Sequence, residues 1–189
     1  MKKLLFLLSV VLLPMYANAQ KIVKDIVNKD NSRIISTSYG RLYTKTASGG
    51  NVGLALFLPE GGEPSYLINL ELGEGDLSVN EGQIMAVKLS NGEIIEVKCV
   101  DSDNEMVKFL DISHYPFHYV DRTYLSYNCD KATISKIAES EVVKIRIEST
   151  DGYIDRNIKG NKMSKFISKS LQLFEELLKK GAKSRYSDF

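Results

Sequence analysis

The sequence predicts an α+β domain: an antiparallel-rich sheet with a short helix and a long C-terminal amphipathic helix packed on one face. Three observations predict it. Between residues 33 and 158, short apolar runs, several alternating with period two, recur between clusters of Gly, Pro, Asn and Asp, the pattern of strands and turns. Asn91-Gly92 and Asp151-Gly152 each stand between two such runs, as hairpin turns do. Residues 163–178 carry an apolar stripe at helical spacing instead.

Met1-Lys2-Lys3, the apolar run Leu4 to Leu13, Pro14 and Ala17-Asn18-Ala19 have the three parts of a secretory signal in order. The run is too short to cross a bilayer, which takes roughly 20 residues. Cleavage between Ala19 and Gln20 is expected. Residues 20–32 are polar and read as a flexible lead-in. The single α+β domain is expected over 33–181, and 182–189 is a polar tail.

Arg33 to Thr37 is the first strand. Tyr39-Gly40 and Ala47 to Asn51 are turn chemistry. Val52 to Leu58 is a strand ended by Pro59. Tyr66 to Leu72 alternates, with Tyr66, Ile68 and Leu70 on one face. Ile84–Ser90 and Glu93–Val100 flank Asn91-Gly92. A type I′ turn there pairs Ile84 with Cys99, Ala86 with Val97 and Lys88 with Ile95, and that face reads as buried. Met106 to Leu110 and Arg122 to Asn128 follow as strands. Asp130 is placed to cap a short helix carrying Ile134, Ile137 and Ala138. Val142 to Glu148 and Tyr153 to Ile158 flank Asp151-Gly152. The last helix presents Met163, Phe166, Ile167, Leu171, Phe174, Leu177 and Leu178 as one stripe, with Gly181 as its C′ residue.

Composition excludes several classes. The chain holds 25 Lys and Arg against 24 Asp and Glu. Loss of Lys2 and Lys3 with the signal would leave 23 against 24, a net charge of −1. That balance argues against nucleic acid as a partner. No second apolar segment of spanning length follows, so no transmembrane segment is expected after signal cleavage. Charge is uneven: residues 49–105 hold eleven acidic and two basic residues, and residues 156–186 nine basic and two acidic. These read as neighbouring or solvated segments that offset each other.

Export would make a Cys99–Cys129 disulfide chemically open. It would close a loop of about 30 residues and add ~3 kcal/mol on the chain-entropy model. Two free core thiols are the alternative.

The segment from Asp111 to Asp121 holds both histidines, His114 and His118, and those two carboxylates. On a helix, His-x-x-x-His would turn both rings to one side for a metal. Pro116 opposes that helix. In an extended chain Tyr115, Phe117 and Tyr119 share the opposite face. These three, with Tyr124 and Tyr127, are also a candidate sugar-stacking platform. Asp101, Asp103 and Glu105 begin like a calcium loop, but Met106 and Ile112 stand where its Gly and Glu belong. Glu74 and Asp76 lie in a solvated turn that does not raise a carboxylate pKa. No phosphate loop or nucleophile elbow is present.

From Tyr124 onward the order of elements, with Val143 to Glu148 and Asp151-Gly152-Tyr153, resembles exported Bacteroidetes proteins without assigned activity. The resemblance implies compartment and fold class only. Taken together, the residues point to an exported, periplasmic or secreted, non-catalytic binding or envelope-associated module. No cofactor is expected, and the partner would be a protein or an envelope component. The rivals are a small hydrolase or metal enzyme using Asp111, His114, His118 and Asp121, and an adaptor that binds a partner through a sheet edge.

Overall fold

The computed structural model describes residues 20–43, 49–73, 77–109 and 118–180, with side chains throughout except at 104–109 and 118–121. Among these residues, ten strands and two helices follow in order: β1 (Ile22–Val27), β2 (Arg33–Thr37), β3 (Gly40–Tyr43), β4 (Gly50–Leu58), β5 (Ser65–Leu72), β6 (Ile84–Leu89), β7 (Ile94–Phe109), β8 (His118–Cys129), α1 (Lys131–Glu139), β9 (Val142–Ser149), β10 (Gly152–Asn157) and α2 (Lys162–Lys179). All strands join one sheet in the order β1-β2-β4-β5-β8-β7-β6-β9-β10, with β3 on β4. Every pairing is antiparallel. The protein is therefore α+β and dominated by its sheet.

The inward rows run through Ile35, Leu54, Leu56, Ile68, Leu70, Leu125, Tyr127, Met85, Val87, Ile145 and Ile147. They share one hydrophobic cluster with Ile134 and Ile137 of α1 and Met163, Ile167 and Phe174 of α2. Each such side chain contributes roughly 1.5–3 kcal/mol by leaving water. Asp130 caps α1 as expected, its Oδ1 accepting from Thr133 N at 2.7 Å. Helix α2 packs against α1 and against β3, β4 and β9. The sheet curls far enough that Arg156 of β10 stands 6.0 Å from the Tyr43 ring of β3.

Four departures from the sequence reading have local causes. Residues 20–32, expected as a flexible lead-in, contain β1, which pairs with β2. Its Lys24 and Asp25 are tolerated because an edge strand half faces water. Tyr39-Gly40, expected as a turn, is a bulge. Register slips by one residue between Ser36–Ala55 and Gly40–Val52, so β2 and β3 are one interrupted strand along β4. The Asn91-Gly92 hairpin has a three-residue loop rather than a type I′ turn. Leu89 N donates to Glu93 O, and of the two only Gly92 has positive φ, 89°. The ladder is one residue off the expected register: Met85 faces Val97 and Val87 faces Ile95, which turns Ile84, Ala86 and Lys88 outward. Finally, Asp101 to Glu105, which separates the expected strands Glu93–Val100 and Met106–Leu110, lies inside the 16-residue β7. A bulge at Val100 carries it on alongside β8.

β7 and β8 outrun their neighbours. The last β5 rung is Leu72–Thr123 and the last β6 rung is Ile84–Lys98. The pair continues from Glu105–Arg122 to Phe109–His118, a two-stranded arm about 17 Å long at roughly 3.4 Å per residue.

No helix among the described residues is long and apolar enough to cross a membrane.

Candidate functional site

A cleft of about 880 Å³ opens where the bulged β2–β3 strand meets the first half of α2. Its lining is Gln20, Ser38, Tyr39, Gly40, Arg41, Asn51, Lys162, Lys165, Phe166 and Lys169. The volume is in the range of small-ligand sites.

The bulge creates one wall. Thr37 is buried, and its Oγ1 accepts from Leu54 N at 3.1 Å and donates to Leu54 O at 3.2 Å. The side chain thus stands in for a missing backbone rung. The slip turns Tyr39 outward over Gly53, where a Cβ would lie 3.2 Å from the ring. Burial, and then Tyr124 nearby, hold the Tyr39 hydroxyl above its ordinary pKa. Gly40 is required for a different reason: its Cβ would sit 2.4 Å from Cδ2 of Phe166. Absence of a side chain there lets the Phe166 ring lie against the strand and brings α2 alongside it.

The other wall is helix α2. Lys162, Lys165 and Lys169 are spaced i, i+3, i+7, which sets them on one side of the helix over about 10.5 Å. Met163, Ile167 and Phe174 face the core. Gln20 closes one end, its Nε2 donating to Phe166 O at 3.2 Å and to Ser170 Oγ. At the far wall Asn51 Nδ2 donates to Glu71 Oε2 at 2.9 Å, and Glu71 is ion-paired with Arg122. Asn161 starts the helix in the left-handed region, φ 54°, and its side chain makes no capping bond. The first-turn N–H groups therefore add positive partial charge at this end.

The lining holds four cations and no carboxylate among its described residues. Five other cations are paired with acids: Arg33 with Asp25, Arg122 with Glu71, Lys136 with Glu93, and Lys144 and Arg146 with Asp155. None of Arg41, Lys162, Lys165 and Lys169 forms an ion pair among the described residues. The basic block at 156–186, read as offset by neighbouring acids, is thus partly gathered into one place.

Comparison with family models, curated proteins and solved structures finds no match.

The residues singled out from sequence fare differently. Asp111 and His114 lie outside the described residues, as do Ala19, Glu74 and Asp76. His118 and Asp121 lie on the β8 side of the arm, opposite Phe109 and Met106. No group of three metal-binding side chains occurs among the described residues. Tyr124 and Tyr127 are three apart on β8, which puts them on opposite faces. Tyr127 is fully buried in the core, its hydroxyl pKa raised by burial, so the five-ring stacking platform does not form. Gln20, which the sequence singles out only as a cleavage residue, lines the cleft.

Cys99 and Cys129 are free and buried. Cys99 faces Tyr127, so Cys129 is its diagonal neighbour two residues along β8. Such diagonals are roughly 7–8 Å apart, beyond the usual Cα reach of a disulfide. Their sulfurs are placed instead to bond carbonyls, Cys99 Sγ to Asp101 O at 3.3 Å and Cys129 Sγ to Tyr66 O at 3.5 Å.

Proposed function

We propose that this protein is an exported, periplasmic or secreted, non-catalytic binding module that takes an anionic ligand in the cleft between β3 and α2. One observation carries the reading: four cations converge on one concave site with no acid to offset them among its described residues. Lys162, Lys165 and Lys169 lie within about two turns of one helix, and Arg41 borders the same cleft. Leaving these four together costs repulsion, which an anion relieves. Ser38, Gln20 and Asn51 supply polar groups beside the charges, and Tyr39 and Phe166 supply apolar surface. That mixture suits binding and orientation rather than proton transfer. Export is supported by the n-region, apolar run and Ala-x-Ala site of residues 1–19.

The test is calorimetric titration of the chain from Gln20 onward with poly-L-glutamate, polygalacturonate and polyphosphate. At least one should bind, weakening as salt rises from 50 to 300 mM (about the range over which screening changes). Lys162→Ala, Lys165→Ala and Arg41→Ala should each weaken it by at least about tenfold, since a charge-assisted hydrogen bond contributes roughly 1.5–3 kcal/mol. Equal affinity in wild type and in the variant combining all three substitutions, or no binding of any polyanion, refutes the reading.

A further inference from the structure

Resting on that reading, we propose that the ligand is an extended acidic peptide segment, which adds as a strand to the free edge of β3. Three features of the cleft point to a strand rather than a compact anion.

The first is the identity of the wall. Ser38, Tyr39, Gly40 and Arg41 are consecutive, and all four line the cleft. Ser38 and Tyr39 belong to the bulge and Gly40 and Arg41 to β3, so the cleft follows the backbone of this interrupted strand. Among the described residues β3 pairs with β4 alone.

The second is a precedent within the fold. Along β2 this same edge is occupied by β1. That pairing ends where Ser38 N donates to Lys21 O at 2.8 Å. Gln20 then leaves the sheet edge for Phe166 and Ser170 of α2. An incoming strand would continue along the edge from the point where β1 departs.

The third is charge spacing. Lys162, Lys165 and Lys169 border the same space over about 10.5 Å. Alternate residues of a strand recur about every 6.8 Å. Two acidic side chains at alternate positions therefore fall within reach of the lysine row, with Arg41 on the strand side. Main-chain hydrogen bonds would supply affinity and the cations would select acidic sequence, the division of labour usual in strand addition.

The experiment uses the full chain from Gln20 and a labelled hexapeptide alternating Glu and Thr, read by fluorescence anisotropy. Two further peptides carry N-methyl groups, one on the Glu amides and one on the Thr amides. Each blocks one edge of the peptide strand and leaves its charge unchanged. We expect the parent peptide to bind, one methylated set to lose at least tenfold in affinity, and the other to bind like the parent. Lys165→Glu should also lose at least tenfold, and backbone amide resonances of Gly40 and Arg41 should shift on binding. If both methylated peptides bind like the parent, charge alone is recognised and strand addition is overturned while the anion site stands. Binding of polygalacturonate without the peptide overturns it in the same way. So does self-association that Lys165→Glu abolishes, which would make a second copy the occupant. Failure of every polyanion removes both readings.

Discussion

Gly40→Ala tests how the cleft is built. A Cβ at Gly40 would lie 2.4 Å from Cδ2 and 2.6 Å from Cε2 of Phe166. Carbon atoms rest at about 3.5–4.0 Å, so the ring must retreat by more than ~1 Å. Phe166 is half-buried and borders the cleft, so it has room to swing rather than push the helix away. Overpacking of this kind costs about 1–3 kcal/mol. Against that, Gly40 does not need positive φ, and replacing glycine there lowers unfolded-chain entropy by about 0.4–1 kcal/mol. The net expectation is a loss of about 0.5–2 kcal/mol. Phe166→Ala removes the obstacle. In that background Gly40→Ala should become stabilising by about 0.4–1 kcal/mol, so its sign reverses. Urea unfolding of wild type, both single variants and the double variant gives the coupling directly. A Gly40→Ala effect of the same sign and size in both backgrounds would refute the account of why glycine stands at 40.

Two more predictions concern the core. Burial, with a smaller push from Asp130, raises the Cys129 thiol to about 12, while the unfolded thiol titrates near ~8.5. Its contribution is full below the unfolded value and is lost as pH rises through the window toward 12. Wild type should therefore lose stability between pH 8 and 10 (by up to about 1.4 kcal/mol per unit once the unfolded thiol ionises) faster than Cys129→Ala does. Parallel urea midpoints for the two across that range would count against it. On α2, Phe174 is 2% exposed and Leu178 is 42% exposed. Phe174→Ala should cost about 3–5 kcal/mol and Leu178→Ala under about 1 kcal/mol; equal costs in urea unfolding would show that the helix is not seated as described.

Strand β5 and helix α2 were legible because period and burial coincide. Tyr66, Ile68 and Leu70 alternate in sequence and are buried on one face, and Met163, Ile167 and Phe174 repeat at helical spacing. Asp130 was legible because a cap is a local device. The β6–β7 register was not, because it depends on whether Asn91 takes positive φ, and a one-residue change in loop length turns every side chain over. β1 was hidden by its polar residues, which an edge strand accepts. The cleft was half legible. Its lysine row stands in the sequence as part of a basic block beside an apolar stripe. Arg41, Gly40 and Gln20 lie more than a hundred residues away, and no local pattern joins them to a helix. Thr37 satisfying Leu54 in place of a backbone rung is a tertiary event with no signature of its own.

The strand order has a consequence for how the chain assembles. Its order in space departs from its order in time of synthesis. β5 is complete by Leu72, yet its inner neighbour β8 begins only at His118, and β6 waits for β9. Until β8 is made, the β1–β5 half ends in a bare ladder edge, as the β6–β7 hairpin does until β9 appears. Pairings such as Tyr66–Cys129 and Met85–Ile147 join residues about sixty apart, and closing loops of that size precedes any gain from the contact. The β7–β8 hairpin is the one element that can form locally and then offer an edge to the β1–β5 half and another to β6. It is the natural template on which the two unfinished halves meet. A nascent chain stalled before residue 129 would carry its stickiest edge uncovered.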